Sequence, residues 1–287
     1  MCITVEPARL SNTILLANQV EHEGKTVNVI GYQNNADSKT KGPNAMVLPI
    51  PSAVAMGPEN CIDMTGAEKV FKQYEETLRP RTRSMNFSKG MPAGSAAGDL
   101  QVFESGSYTV LLTKEVNLNA LREAMETLPE GKRLELSLGQ AKVFSSFRKL
   151  YPDWHIAICI WEGKIAPEPL LWWYEPMDEF KANHFLPGLD AHDGNPPDPS
   201  LKSVHIDHTL VIGAPKVEER FRNNASDVVG DAPPHLRKWL PNNVFGALLQ
   251  DRQARNGDWV FPTERWNYDT AQTRTHGPRV PPPGYQE

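Results

Sequence analysis

Hydrophobic and polar residues alternate along much of the chain, and this pattern predicts many strands. Residues 12–20 and 26–33 have strand composition, and the short Gly-containing connection between them predicts a β-hairpin. The clearest alternation covers residues 203–213, where successive side chains must point to opposite faces of a sheet. His208 shares the apolar face of that strand, so we expect it in the core. Other segments with strand composition are 45–51, 100–103, 108–113, 154–161 and 169–174.

Four stretches are predicted to form helices, and in the first three the apolar residues recur at spacings of three and four. Thr65 and Glu68 fit a capping box for the first of these helices. Asn117 is placed to cap the second. The predicted helices cover residues 64–78, 117–128, 139–150 and 243 to about 255.

The order of these elements predicts an α+β fold. The helices come between hairpins instead of alternating with single strands, which favours a mainly antiparallel sheet with a few helices packed on it. Residues 1–232 are predicted to form a single α+β domain. Residues 233–287 contain helical pieces and a Pro-rich end. They predict a C-terminal extension that packs on the domain or is partly disordered.

Composition excludes several classes of protein. The 287 residues are 39% hydrophobic and 23% charged, as is typical of globular proteins. A net charge of −5 without a long basic run gives no footprint for nucleic acid or an anionic membrane. No apolar run approaches the roughly 20 residues of a membrane-spanning helix, and no export signal is evident. Three cysteines without a CxxC pair predict reduced thiols and a cytoplasmic location.

The stretch from His184 to His208 concentrates titratable groups, with four of the eight histidines and four aspartates. Neutral imidazoles and carboxylates that converge from a loop and a strand can bind a divalent metal such as zinc or transfer protons. The alternative is an exposed turn that uses aspartate for turn chemistry. The five candidate ligands are Asp190, His192, Asp193, His205 and Asp207.

Cys2 is a second candidate site. Removal of Met1 would expose it as the N-terminal residue, whose α-amine titrates near pH 8 and can accept the thiol proton. The opening Met-Cys-Ile-Thr followed by a hairpin resembles N-terminal-nucleophile amide hydrolases of the bile-salt and penicillin-V type. The alternative is a small buried or frayed terminal residue.

A wider pattern resembles a bacterial family of unknown function whose members are mostly exported. It comprises Cys2, a strand that ends in Tyr32-Gln33, and a Val-x-Pro-x-Pro strand at 47–51. A Gly-x-Tyr strand at 106–108 with a Leu-rich helix follows, and then a short helix and strand over 143–161. Because that family has no assigned activity, the resemblance implies a related fold and transfers no catalytic role.

Three functions remain open. The leading hypothesis is a hydrolase that acts on an amide or acyl bond of a small molecule or peptide, with Cys2 as nucleophile. His192 or His205 would assist, oriented by Asp190 or Asp207.

The second hypothesis is a non-catalytic binding module that uses the surface of Trp172-Trp173-Tyr174 and the C-terminal tail to bind a protein partner. The third is a metal-dependent hydrolase that uses the five candidate ligands.

Overall fold

The computed structural model describes residues 2–79, 100–165, 168–213, 222–263 and 283. Its strands are β1 (Cys2–Ile3), β2 (Ala8–His22), β3 (Lys25–Ser38), β4 (Pro43–Ile50), β5 (Cys61–Ile62), β6 (Leu100–Ser105), β7 (Tyr108–Thr113), β8 (His155–Glu162), β9 (Lys164–Ile165), β10 (Leu170–Tyr174), β11 (Asn183–Leu186), β12 (Asp190–Ala191), β13 (Val204–Gly213), β14 (Asn223–Asn224), β15 (Asn243–Ala254) and β16 (Trp259–Pro262). Its helices are α1 (Val70–Leu78), α2 (Leu118–Thr127), α3 (Leu138–Leu150) and α4 (Ser226–Asp231).

The fold is α+β with mainly antiparallel sheets, as the sequence predicts. The larger sheet has the order β14-β15-β13-β2-β3-β10-β5, and β9 pairs with β3 beside it. The smaller sheet has the order β4-β8-β7-β6. Parallel pairing occurs between β13 and β2 and between β1 and β12, and the other strand pairs described are antiparallel.

The first hairpin forms where the hydrophobic pattern predicts it. Strands β2 and β3 pair from Ala8↔Ser38 to His22↔Lys25. Glu23 and Gly24 between them both have positive φ, the conformation whose twist suits a two-residue hairpin turn. The prediction is therefore confirmed, and the strands are longer than the pattern indicates.

Two hydrophobic clusters stabilise the larger sheet, one on each face. Leu15, Leu210 and Ile212 belong to the cluster that also contains the smaller sheet and residues of α2 and α3. Val211 belongs to the other cluster, together with residues of α1 and α4. The face assignment predicted for β13 is confirmed, and His208 is buried against Trp259 as expected.

Helices α2 and α3 begin where the sequence predicts. The Asn117 side chain accepts hydrogen bonds from the backbone N–H groups of Asn119 and Ala120, at 2.9 and 3.3 Å. Helix α1 begins at Val70, after the predicted capping box, which does not form: Glu68 accepts a hydrogen bond from the backbone N–H of Gly66.

One helix prediction is wrong. Residues 243–254 form strand β15, which pairs with β13 on one side and β14 on the other. Apolar residues spaced by three and four suit a helix, but pairing with β13 satisfies the backbone here. The predicted division at residue 232 stays a prediction, and the Pro-rich tail over 262–287 lies largely outside the described residues. In the described ranges, no helix is long and apolar enough to cross a membrane.

Candidate functional site

The N-terminal segment lies beside the His/Asp loop. Strand β1 pairs in parallel with β12, so the backbone of Cys2 lies opposite Asp190 and Ile3 lies opposite Ala191. The backbone N–H of Ala8 donates to the carbonyl of His192 at 2.9 Å, which continues the contact. Two candidate sites that are nearly 190 residues apart in sequence are therefore neighbours at the level of the backbone.

Asp190 and Asp193 of this loop take part in hydrogen bonds that stabilise the loop. Asp190 is buried, and its backbone is bracketed by Asn256, whose side-chain oxygen accepts from the Asp190 N–H and whose amide donates to the Asp190 carbonyl. Asp193 accepts hydrogen bonds from the backbone and side chain of Asn195. Burial raises the pKa of Asp193, but these hydrogen bonds outweigh it and keep the pKa below its ordinary value. The His192 side chain is exposed.

His205 and Asp207 have separate partners. The ring of His205 is exposed, with Nε2 3.5 Å from an oxygen of Asp251. Asp207 accepts a hydrogen bond of 2.8 Å from the backbone N–H of Asn12. Asn12 has a positive φ within the irregular pairing of β2 with β3, so Asp207 stabilises a bulge.

The five predicted metal ligands do not form a metal site in the structure. Among the described side chains, no group of three or more His, Cys, Asp or Glu residues is arranged to hold an ion. The reason is local: Asp193 bonds to its own loop, while Asp207 bonds to β2. The geometry therefore gives the zinc hypothesis no support.

The predicted aromatic surface is mostly core. Trp172 and Tyr174 are each about 1% exposed. Trp173 is half-buried and stacks on Trp239, with ring centroids 6.0 Å apart. Its indole N–H donates to the carbonyl of Glu59, so this ring has fixed neighbours on its own chain.

A cleft of about 700 Å³ lies elsewhere, at one end of the smaller sheet. Strands β7 and β8 are antiparallel, with Thr113 opposite Ile156. The connection that leaves β7 toward α2 and the connection that enters β8 from α3 therefore meet at the same edge. Residues 112–117 and 151–156, which comprise these two strand ends and the adjoining connections, line the cleft.

Two polar groups in the wall have unused hydrogen-bonding capacity. His155 is about 3% exposed, and no described residue bonds to its Nδ1 atom. Burial, with a smaller effect from the charge of Lys114, lowers the pKa of His155 to about 4, so its imidazole is neutral at pH 7. The Gln101 side chain donates to the Met56 carbonyl at 3.1 Å, while its buried Oε1 atom has no partner in the described chain.

Hydrogen bonds through Asp258 stabilise the connection that precedes β8. The Tyr151 hydroxyl donates to Asp258 at 2.7 Å, and the other oxygen of that carboxylate accepts from the backbone N–H groups of Gly188 and Leu189. These bonds are buried and join α3 to the segment before β12. Such support fixes a binding wall in one arrangement.

Sequence reasoning missed this cleft, because its residues are distant in the sequence and match no motif. The alternation along its strand predicts an outward-facing His155 with no candidate partner nearby in the chain, and this prediction is wrong because the side chain is buried. The only sequence indication is a histidine at the start of an otherwise apolar strand.

Comparisons with known proteins leave the family open. No family model matches the chain, and no curated protein matches it. Among solved structures, it is similar to a mutated baculovirus P35 after caspase cleavage, with 14% identity over 74% of this chain and 69% of that chain and a TM-score of 0.37. A second structure described in the same words has 11% identity over 88% and 98% of the two chains and a TM-score of 0.42. Scores this low support no conclusion about fold or function.

Proposed function

We propose that this chain is a binding protein for a small molecule or short peptide, and that the cleft at the end of β7 and β8 is its binding site. The volume of about 700 Å³ falls within the range of ligand pockets in proteins. The lining combines apolar side chains with polar and charged ones, so it offers a ligand both hydrophobic contact and hydrogen bonds. This proposal replaces the aromatic surface with the cleft as the binding element.

The unsatisfied Nδ1 atom of His155 carries the proposal. A buried polar atom without a hydrogen bond costs roughly 1–3 kcal/mol, so such atoms are rare in folded proteins. Here the atom is in a residue that lines an open cleft, where a ligand can supply the missing bond. Gln101 offers a second unused acceptor in the same wall.

A fragment screen followed by ¹H–¹⁵N correlation spectra tests this proposal, and it does not require that the natural ligand be identified first. Ala120 lines the cleft on α2, so Ala120→Trp should fill it. Glu123 is exposed on the same helix and does not line the cleft, so Glu123→Trp is the matched control.

We expect fragment-induced shifts to concentrate on residues 112–117 and 151–156, to vanish in Ala120→Trp and to persist in Glu123→Trp. Shifts that scatter over the surface, or that survive in Ala120→Trp, would overturn the proposal.

A second candidate function is the amide or acyl hydrolase with Cys2 as nucleophile. The parallel pairing of Cys2 with Asp190 favours it, because it brings a carboxylate-bearing residue beside the proposed nucleophile. Intact mass tests the requirement that Met1 be removed. Hydrolysis of p-nitrophenyl acetate and an acyl p-nitroanilide, with Cys2→Ser as the inactive variant, tests turnover. Retention of Met1, or equal rates for both proteins, would eliminate this candidate.

The cytoplasmic location predicted from the sequence belongs to the same proposal. Cys61 and Cys159 are both free thiols, which supports a reducing compartment. Fractionation of cells that produce the tagged protein tests the location directly.

A further inference from the structure

The rim of the cleft carries two charges of opposite sign without salt-bridge partners. Lys114 and Asp153 both line the cleft and are exposed. Within the described ranges, neither side chain takes part in an ion pair or a hydrogen bond. The other two charged residues of the lining, Arg148 and Glu115, lie 3.1 Å apart and neutralise each other.

These two charges lie on neighbouring segments of the lining, because β7 and β8 pair with each other. Lys114 follows β7 directly, while Asp153 precedes β8 by two residues. The ammonium nitrogen of Lys114 and the carboxylate oxygens of Asp153 are more than 4 Å apart, so the two side chains do not form an ion pair with each other. A ligand with an anionic end and a cationic end can meet both at once, each through a charge-assisted hydrogen bond.

Two neutral polar groups also line the cleft. The neutral imidazole of His155 and the carbonyl oxygen of Gln101 suit the N–H and C=O groups of an amide. The apolar part of the wall suits a hydrophobic side chain. It is formed by Met56, Leu112, Val116, Phe147 and Ile156.

We infer that the ligand of this cleft is a zwitterion of the amino-acid type, a free amino acid or a short peptide, with an apolar side chain. Lys114 binds its carboxylate and Asp153 binds its ammonium group. The inference rests on the proposed binding function and specifies its ligand. A phosphate-rich ligand fits these charges less well, because Asp153 would repel it and Lys114 is the sole cation of the lining without an acidic partner among the described residues.

Calorimetric titration with a defined set of compounds tests the inference. Leucine, Leu-Leu and Leu-Leu-Leu differ in the distance between their charged ends, so their relative affinities distinguish a free amino acid from a peptide. N-acetyl-Leu-Leu lacks the ammonium group, and Leu-Leu-amide lacks the carboxylate. We expect each capped compound to bind about tenfold more weakly than Leu-Leu.

Two variants test which residue binds each charged end of the ligand. Lys114→Gln should abolish the preference for a free carboxylate and retain the preference for a free ammonium group. Asp153→Asn should do the reverse, and asparagine tolerates the positive φ of that position. Lys142→Gln and Asp227→Asn are exposed controls outside the cleft and should change neither preference.

Failure of this inference differs from failure of the proposed function. If none of the five compounds binds, or if capped and free compounds bind equally, the zwitterion assignment is overturned. Fragments that still locate to the cleft and disappear in Ala120→Trp would then leave the binding function intact. Fragments that locate elsewhere would remove both.

Discussion

His184 predicts a specific loss of stability in acid. It lies in β11 opposite Phe261 of β16 and is about 2% exposed. Burial lowers the pKa of this imidazole from 6.5 to about 4, although a hydrogen bond with the Gly213 backbone opposes the change. The folded protein therefore holds His184 neutral over a pH range in which the unfolded chain protonates it.

The sign and size of the change in the free energy of unfolding with pH follow from proton linkage. Between pH 6.5 and about 4 the unfolded state binds more protons, so the free energy of unfolding falls as the pH falls. One such group contributes at most 1.36 kcal/mol per pH unit, and the whole window is worth about 3 kcal/mol for His184. His155 acts in the same direction, because burial and Lys114 also lower its pKa to about 4.

Urea unfolding at pH 7, 6, 5 and 4.5, followed by tryptophan fluorescence, measures this dependence. The comparison is between the native sequence and His184→Gln, with the exposed His205→Gln as control. His184→Gln should lower stability at pH 7 but flatten its fall below pH 6.5, whereas His205→Gln should keep the native slope. A native protein with equal stability at pH 7 and 4.5, or a His184→Gln variant with an unchanged slope, would refute the reasoning.

Three further predictions concern stability and thiol reactivity. A Cβ atom at Gly246 would meet a backbone oxygen of β13, so Gly246→Ala should destabilise the protein by about 2 kcal/mol or more in thermal unfolding. A Cβ atom at Gly230 in α4 meets no other atom, so Gly230→Ala should be neutral or stabilising in the same experiment. Asn117→Ala removes the cap of α2 and should cost about 1 kcal/mol in urea unfolding. Burial raises the pKa of the Cys61 thiol to about 12 and raises the pKa of Cys159 above its ordinary value. Neither thiol should therefore react with Ellman's reagent at pH 8 within minutes, whereas both should react after the protein is unfolded in urea.

Local patterns in the sequence account for much of the fold. The β2–β3 hairpin, the Asn117 cap and the two faces of β13 each depend on residues close together in the chain, which is why spacing predicts them. Strand β15 fails this test, since its spacing suits two structures and only its pairing with β13 selects one.

The site depends on contacts that sequence spacing does not reveal. The alternation of side chains along β13 correctly places His208 and His205 on opposite faces of the sheet. It does not show that Asp207 accepts a hydrogen bond from the backbone of Asn12. The cleft requires the ends of β7 and β8, about 40 residues apart, to lie at one sheet edge. No pattern within either connection shows this pairing.

A crystal structure of the protein with its tightest-binding fragment tests the central claim most directly. The account predicts electron density for the fragment in the cleft, with a polar atom within hydrogen-bonding distance of Nδ1 of His155. Density for the fragment outside the cleft, with His155 unchanged, would contradict it.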